Sequence, residues 1–217
     1  MSMNKKNVEC RALTFEMRAE TGEKGKTITG RPIVYNSRTD LGPFDEVIQP
    51  GALDSTDLRD VVLTYNHGLD KIPIARSRRN NENSTMQLMP VPEGLDIRAN
   101  ADVENNAEAR ALVSAIERGD IDGMSFIFIV GEDRWEGLDT DHPTRTITRI
   151  EKVFEVSAVV FPAYESTSID ARDSRALESV KDALEKARET RAEKPLASGI
   201  ELELAKAKAE FMSKLGG

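Results

Sequence analysis

One cysteine, two histidines and one tryptophan in 217 residues exclude several chemistries at once. A single cysteine cannot form an internal disulfide and fits a reducing cytoplasm. Together with only two histidines it leaves too few ligands of the kinds a structural zinc site uses. No metal and no cofactor is therefore expected. No apolar run approaches the ~20 residues that cross a bilayer, so no membrane association is expected. The first ten residues, MSMNKKNVEC, carry two lysines without an apolar stretch behind them, and are not expected to act as a signal peptide. Lys and Arg number 30 against 38 Asp and Glu, and the net charge of −8 lacks the basic footprint of a nucleic-acid binder. What is present, 39% hydrophobic and 31% charged residues, suits one soluble domain with a real core plus an appendage.

Up to about residue 168, β-type runs recur between turn signals. They include Thr27–Gly30, Pro32–Tyr35, Val61–His67, Ser125–Val130, Arg145–Ile150 and Val153–Phe161. The stretch Glu132–Asp141 reads as an acidic loop. One helix is predicted inside this region, from about Asn106 to Arg118, with Gly119 just past its end. Ala109, Leu112, Val113 and Ile116 would form its buried stripe. Beyond Ser168 the character changes. Arg175–Arg191 is rich in Ala, Leu, Glu, Lys and Arg, with Leu177, Val180, Leu184 and Ala187 spaced by three and four. Pro195–Gly199 breaks this pattern, and Leu202, Ala205, Ala209 and Met212 resume it. The reading is a domain over residues 1–168 followed by a helical tail over residues 169–217.

Only two residues can serve as an imidazole base. His142, in Asp139-Thr140-Asp141-His142-Pro143, reads as a solvated loop histidine. His67 closes an apolar strand, and strict alternation would set it on the face of Val61, Leu63 and Tyr65. Among many serines, Ser125 is distinguished by its place. It follows Gly119 and the turn Asp120–Met124 and opens an apolar strand, where a hydroxyl can be presented beside free backbone N–H groups. Glu155 and Ser157 share one face of an otherwise apolar strand, and a carboxylate there needs a partner such as a histidine N–H. Glu151 is the other candidate for that role. Cys10 reads as a buried or incidental cysteine at a strand edge, and Trp135 as an anchor without function.

Four local sequences, taken in order, resemble the prohead protease family of tailed phages. They are Pro50-Gly51-Ala52-Leu53, Tyr65-Asn66-His67, Gly119–Phe126 and Phe154–Tyr164. The resemblance covers roughly residues 10 to 168 and leaves out the tail. The family is related in fold to the herpesvirus protease assemblin. It therefore implies an α+β fold with a β-rich, barrel-like protease domain and a few helices, followed here by the helical C-terminal tail. It also implies that Ser125 attacks, His67 carries the proton and Glu155 orients the imidazole. Two departures stand out. The family commonly reads Ser-Phe-Gly-Phe where this chain has Ser125-Phe126-Ile127-Phe128, and no arginine-bearing oxyanion loop follows Val160.

The expected function is a serine endopeptidase acting in the host cytoplasm inside the assembling procapsid. It would cleave scaffolding protein, or the scaffold-like N-terminal segment of the major capsid protein, and itself. The tail would bind scaffold helices and be removed by self-cleavage. By analogy with assemblin a homo-oligomer is allowed. The rival reading is a non-catalytic assembly factor on the same fold.

Overall fold

A computed structural model of the chain describes residues 8–14, 17–22, 25–160 and 174–193. Eleven strands and two helices lie within them. In chain order they are β1 (Val8–Thr14), β2 (Arg18–Gly22), β3 (Gly25–Val34), β4 (Thr39–Asp40), β5 (Asp45–Ile48), β6 (Val61–Tyr65), β7 (Ala75–Ser77), β8 (Met86–Val91) and β9 (Gly94–Ala101). Then come α1 (Ala107–Arg118), β10 (Gly123–Glu136), β11 (Thr144–Val159) and α2 (Ser174–Glu193).

The α+β composition is as expected. The strands form two open sheets around one core, with no closed ring of pairing among the described residues. The smaller sheet has the order β2-β3-β9-β8, and the larger runs β1-β10-β11-β5-β4. β11 is long enough to serve two partners along one edge. Its first part pairs in parallel with β5 and its last part in parallel with β6, while β10 runs antiparallel along the other edge. This arrangement merges runs that look separate in the sequence. Arg145–Ile150 and Val153–Val159 are one strand, bent where Phe154 is the extra residue between the pairs Ile127–Glu155 and Phe128–Val153. Thr27–Gly30 and Ile33–Val34 are likewise one strand with an irregularity between them. The acidic segment expected as a loop is strand as far as Glu136, because Asp133 and Trp135 pair with Ile147 and Arg145.

Helix α1 forms as its local signals dictate. The Asn106 side chain accepts hydrogen bonds from the N–H groups of Glu108 and Ala109, and Gly119 closes the helix at φ 76°. Ala109, Leu112, Val113 and Ile116 are its buried residues. In the smaller sheet, Gly94 is required by contact: a Cβ there would lie 1.9 Å from the Ile33 carbonyl oxygen.

Helix α2 spans the Arg175–Arg191 stretch. Val180, Ala183 and Leu184 pack with Phe44 in a second apolar cluster, which Leu41, Trp135 and Leu138 border. Trp135 thus has a structural task, with the Phe44 ring edge-on at 4.7 Å and the Arg145 guanidinium 5.6 Å from its ring centre. The tail stretch Leu202–Met212 lies outside the described residues.

Beneath β1 the interior is ionic. Arg11 donates to Glu46 at 2.6 and 2.8 Å and to Glu9 at 2.6 Å. Arg145 donates to Glu9 at 2.7 and 2.9 Å, to Glu46 at 3.1 Å and to Asp133 at 2.7 Å. Glu9, Arg11, Glu46 and Arg145 are each under 5% exposed. Burial pushes the Glu9 carboxyl up, but the charge of Arg11 and the bonds from Arg145 outweigh it and hold Glu9 below the usual range. Breaking such a set by removing one member leaves a charge buried without its counterion.

Candidate active site

Strand pairing places the candidate residues in two adjacent rows across β1, β10, β11 and β6. Cys10 pairs with Ile127, Ile127 with Glu155, and Glu155 with Val62. In the other row Ser125 pairs with Ser157, and Ser157 with Thr64. Directly paired residues point to the same side of a sheet. The row between them, Arg11, Phe126, Val156 and Leu63, points the opposite way into the core and is buried throughout. Glu151 lies further back along β11, where its backbone carbonyl accepts from Asp57 N–H at 2.9 Å.

This register overturns one expectation. Val61 and Leu63 belong to the core face, and His67 does not share it. After Tyr65 the chain leaves the strand through Asn66 and His67, whose φ angles are 47° and 55°. Two successive left-handed residues turn the histidine back over the rows of Glu155 and Ser157. The turn is tied down at three points. Asn66 N–H donates to Ala158 O at 2.9 Å, the Asn66 side-chain oxygen accepts from Val160 N–H at 3.2 Å, and His67 N–H donates to Ser157 Oγ at 2.9 Å. Left-handed backbone at non-glycine residues is strained, and such strain concentrates at functional sites.

His67 Nδ1 meets Glu155 Oε2 at 2.8 Å. The carboxylate only accepts, so Nδ1 carries the proton and Nε2 is the basic nitrogen of the neutral ring. Glu155 is held in turn. Its Oε1 accepts a hydrogen bond from the Thr64 hydroxyl, and the Thr64 and Ser157 hydroxyls are 3.0 Å apart. With the Thr64 proton on Glu155, Ser157 donates to Thr64 and accepts from His67 N–H. Every polar group around the fully buried carboxylate therefore has a partner, as a buried charge requires.

Nε2 faces Cys10. The sulfur lies 3.6 Å from Nε2 and 3.5 Å from Ser125 Oγ. Ser125 is fully buried and donates its hydroxyl proton to the Arg11 carbonyl at 2.8 Å. Among the described residues, no hydrogen bond joins Ser125 directly to His67; Cys10 stands between them. Sequence reasoning singles out His67, Glu155 and Ser125 but treats Cys10 as incidental. It is buried as expected, yet it touches both the imidazole and the serine. Ile127 sits in register with both Cys10 and Glu155.

The histidine is strongly perturbed. Burial alone would lower it, but the hydrogen bond to Cys10, then the hydrogen bond and charge of Glu155, raise it to about 10. His142 lies elsewhere. It is exposed and bonds Asp45 Oδ1 at 3.1 Å, far along the sheet from this site. Asp40 joins these two in a surface group with ligand-like spacing.

Residues 13–183 match the family model of the caudovirus prohead serine protease. The chain belongs to this family. No curated protein and no solved structure matches it. A prohead serine protease acts in capsid maturation, so the chain is assigned to that process and to the procapsid in which it occurs. The match includes His67, Ser125 and Glu155 and continues into α2, but it begins after Cys10. No helix among the described residues is long and apolar enough to cross a membrane.

Proposed function

We propose that this prohead protease is a serine endopeptidase in which Ser125 is the nucleophile, His67 the general base and Glu155 the residue that fixes the imidazole tautomer. The observation that carries this reading is the His67 Nδ1–Glu155 contact of 2.8 Å, which aims Nε2 at the side of the sheet where Ser125 lies. On substrate binding the Ser125 hydroxyl turns from the Arg11 carbonyl toward the base. The alkoxide oxygen attacks the scissile carbonyl, and His67 returns the proton to the leaving amine.

The substrates in this reading are the scaffolding protein or the scaffold-like N-terminal segment of the major capsid protein, and the chain itself. The apolar seam of α2 is already occupied by Phe44 and its neighbours, which leaves Leu202–Met212 as the stretch for scaffold helices. Self-cleavage between Arg172 and Gly199 would release it. The test is co-expression with the capsid protein, comparing wild type with Ser125→Ala. Unchanged processing in the variant removes Ser125 from the role.

A second reading has one observation in its favour. Ser125 is completely buried and its proton is committed to Arg11 O, which suits a non-catalytic assembly factor. Purified chain that stays intact over time, and leaves capsid protein intact, would favour that reading.

A further inference from the structure

The thiol of Cys10 occupies the position that the nucleophile of an imidazole-based hydrolase takes. Its sulfur is 3.6 Å from His67 Nε2, and the opposite ring nitrogen is held by Glu155 at 2.8 Å. Cysteine, histidine and carboxylate thus stand in line, each within reach of the next, as covalent catalysis demands. Exposure falls from the imidazole inward. The His67 side chain is 24% exposed, Cys10 is 8% exposed and Ser125 is 0% exposed. A carbonyl arriving over His67 meets the sulfur before it meets the serine hydroxyl, whose proton is held by Arg11 O.

The thiol is also held in place. β1 pairs with β10 over seven residues, and the Arg11 guanidinium donates to the Cys10 carbonyl at 2.8 Å. Glu9 and Arg11, its two neighbours, are locked into the buried ionic set on the other side of the strand.

We infer that Cys10 is a second nucleophile, served by the same His67–Glu155 pair as Ser125 and directed at the same class of substrate, a peptide bond of a capsid-assembly protein. This rests on the reading of the site as a peptidase. The S–H proton passes to His67 Nε2, and the sulfur attacks the scissile carbonyl carbon, whose C=O electron pair moves onto oxygen. On collapse the C–N bond breaks, and the Nε2 proton goes to the leaving amine. Water, giving a proton to Nε2, then attacks the thioester. The acid product leaves, and the proton returns to sulfur.

Both nucleophiles give their proton to the same His67 nitrogen as they attack. With His67 raised to about 10, both routes gain as the pH climbs.

The experiment uses the full chain incubated with its capsid protein, as wild type, Ser125→Ala, Cys10→Ala, Cys10→Ser and the Ser125→Ala/Cys10→Ala pair, each checked for folding by its thermal melt. Alkylation by iodoacetamide is followed in parallel at about pH 6.5 by mass spectrometry. The expected result is residual cleavage in Ser125→Ala that disappears in the double variant and after alkylation. Cys10 should also alkylate about 10-fold or more faster than free glutathione, with the advantage lost in His67→Gln. Cleavage by wild type with none by Ser125→Ala, together with alkylation no faster than glutathione, overturns the inference and leaves the serine reading intact. A wild type that cleaves nothing overturns both. Should Cys10→Ala fail to fold, the alkylation rate and the Cys10→Ser variant decide the matter.

Discussion

Glu155 grips Nδ1 of His67 across a parallel strand pair, and this contact of 2.8 Å decides which ring nitrogen faces Cys10 and Ser125. The substitution Glu155→Gln would keep the shape but lose the charge and present an amide that donates as readily as it accepts. The wrong tautomer then becomes accessible. Glu155→Gln is expected to lower kcat by about 10²–10⁴-fold with little change in KM, since the carboxylate does not touch substrate. Timed processing of capsid protein over a range of substrate concentrations measures it.

The pH profile follows from the same pair. An ordinary histidine at 6.5 predicts a limb in activity near pH 6 to 7, whereas His67 is raised to about 10. The serine-dependent cleavage rate should therefore keep rising between about pH 8 and pH 10. Stability moves the other way. The folded state favours charged His67, so this stabilisation is complete below pH 6.5 and is lost as the pH rises through about 10. Cys10→Ala removes one of the raising contacts and should shift both limbs downward. Rates and Tm recorded from about pH 6 to 10.5 test each part, and a limb that stays at about pH 6 to 7 would show that Glu155 and Cys10 do not raise His67.

How far the sequence is legible depends on how local the determinants are. Helix α1 can be read from the sequence because Asn106, its four buried residues and Gly119 all lie within one short segment. Glu155 stands out because a carboxylate in an apolar strand demands a partner within the fold. The orientation of His67 escapes such a reading because alternation stops at Tyr65, and nothing in the residue types announces two left-handed residues in succession. Cys10 looks incidental because its contacts reach 57 and 115 residues along the chain. The polar half of β10 resembles a loop because its strand character comes from pairing with β11 rather than from its own apolar pattern.

The buried ionic set predicts large effects from small changes. Arg145 contacts Glu9, Glu46 and Asp133, so Arg145→Met strands carboxylates in the interior. A loss of about 3–5 kcal/mol in unfolding free energy is expected, measured by chemical denaturation. Acid should act through the same residues. Glu9 is held below its ordinary value of 4.5, so its contribution is present above pH 4.5 and is lost as the pH falls through the folded value. A Tm that drops steeply below pH 4.5 in wild type, and less steeply in Glu9→Gln, is the expected outcome.

The docking of α2 is testable through Phe44, which is fully buried against Val180, Ala183 and Leu184. Phe44→Ala should cost about 3–5 kcal/mol of the stability of this cluster. Because the cluster is separate from the main core, hydrogen exchange should quicken first in α2 and around Trp135. Exchange that stays unchanged in α2 would mean the helix does not depend on this contact.

Asn66 separates the backbone's part in the site from the side chain's. Its φ of 47° suits asparagine or glycine, and its side chain accepts from Val160 N–H at 3.2 Å. Asn66→Gly keeps the conformation and loses the bond, whereas Asn66→Val loses both and forces a β-branched residue into left-handed space. Asn66→Gly should therefore retain most of the cleavage rate. Asn66→Val should lose about 1–2 kcal/mol of stability and, more tellingly, much of its activity, because the strand-to-His67 turn can no longer set the imidazole against Glu155. Equal activity in the two variants would show that the left-handed turn at Asn66 is not what positions His67.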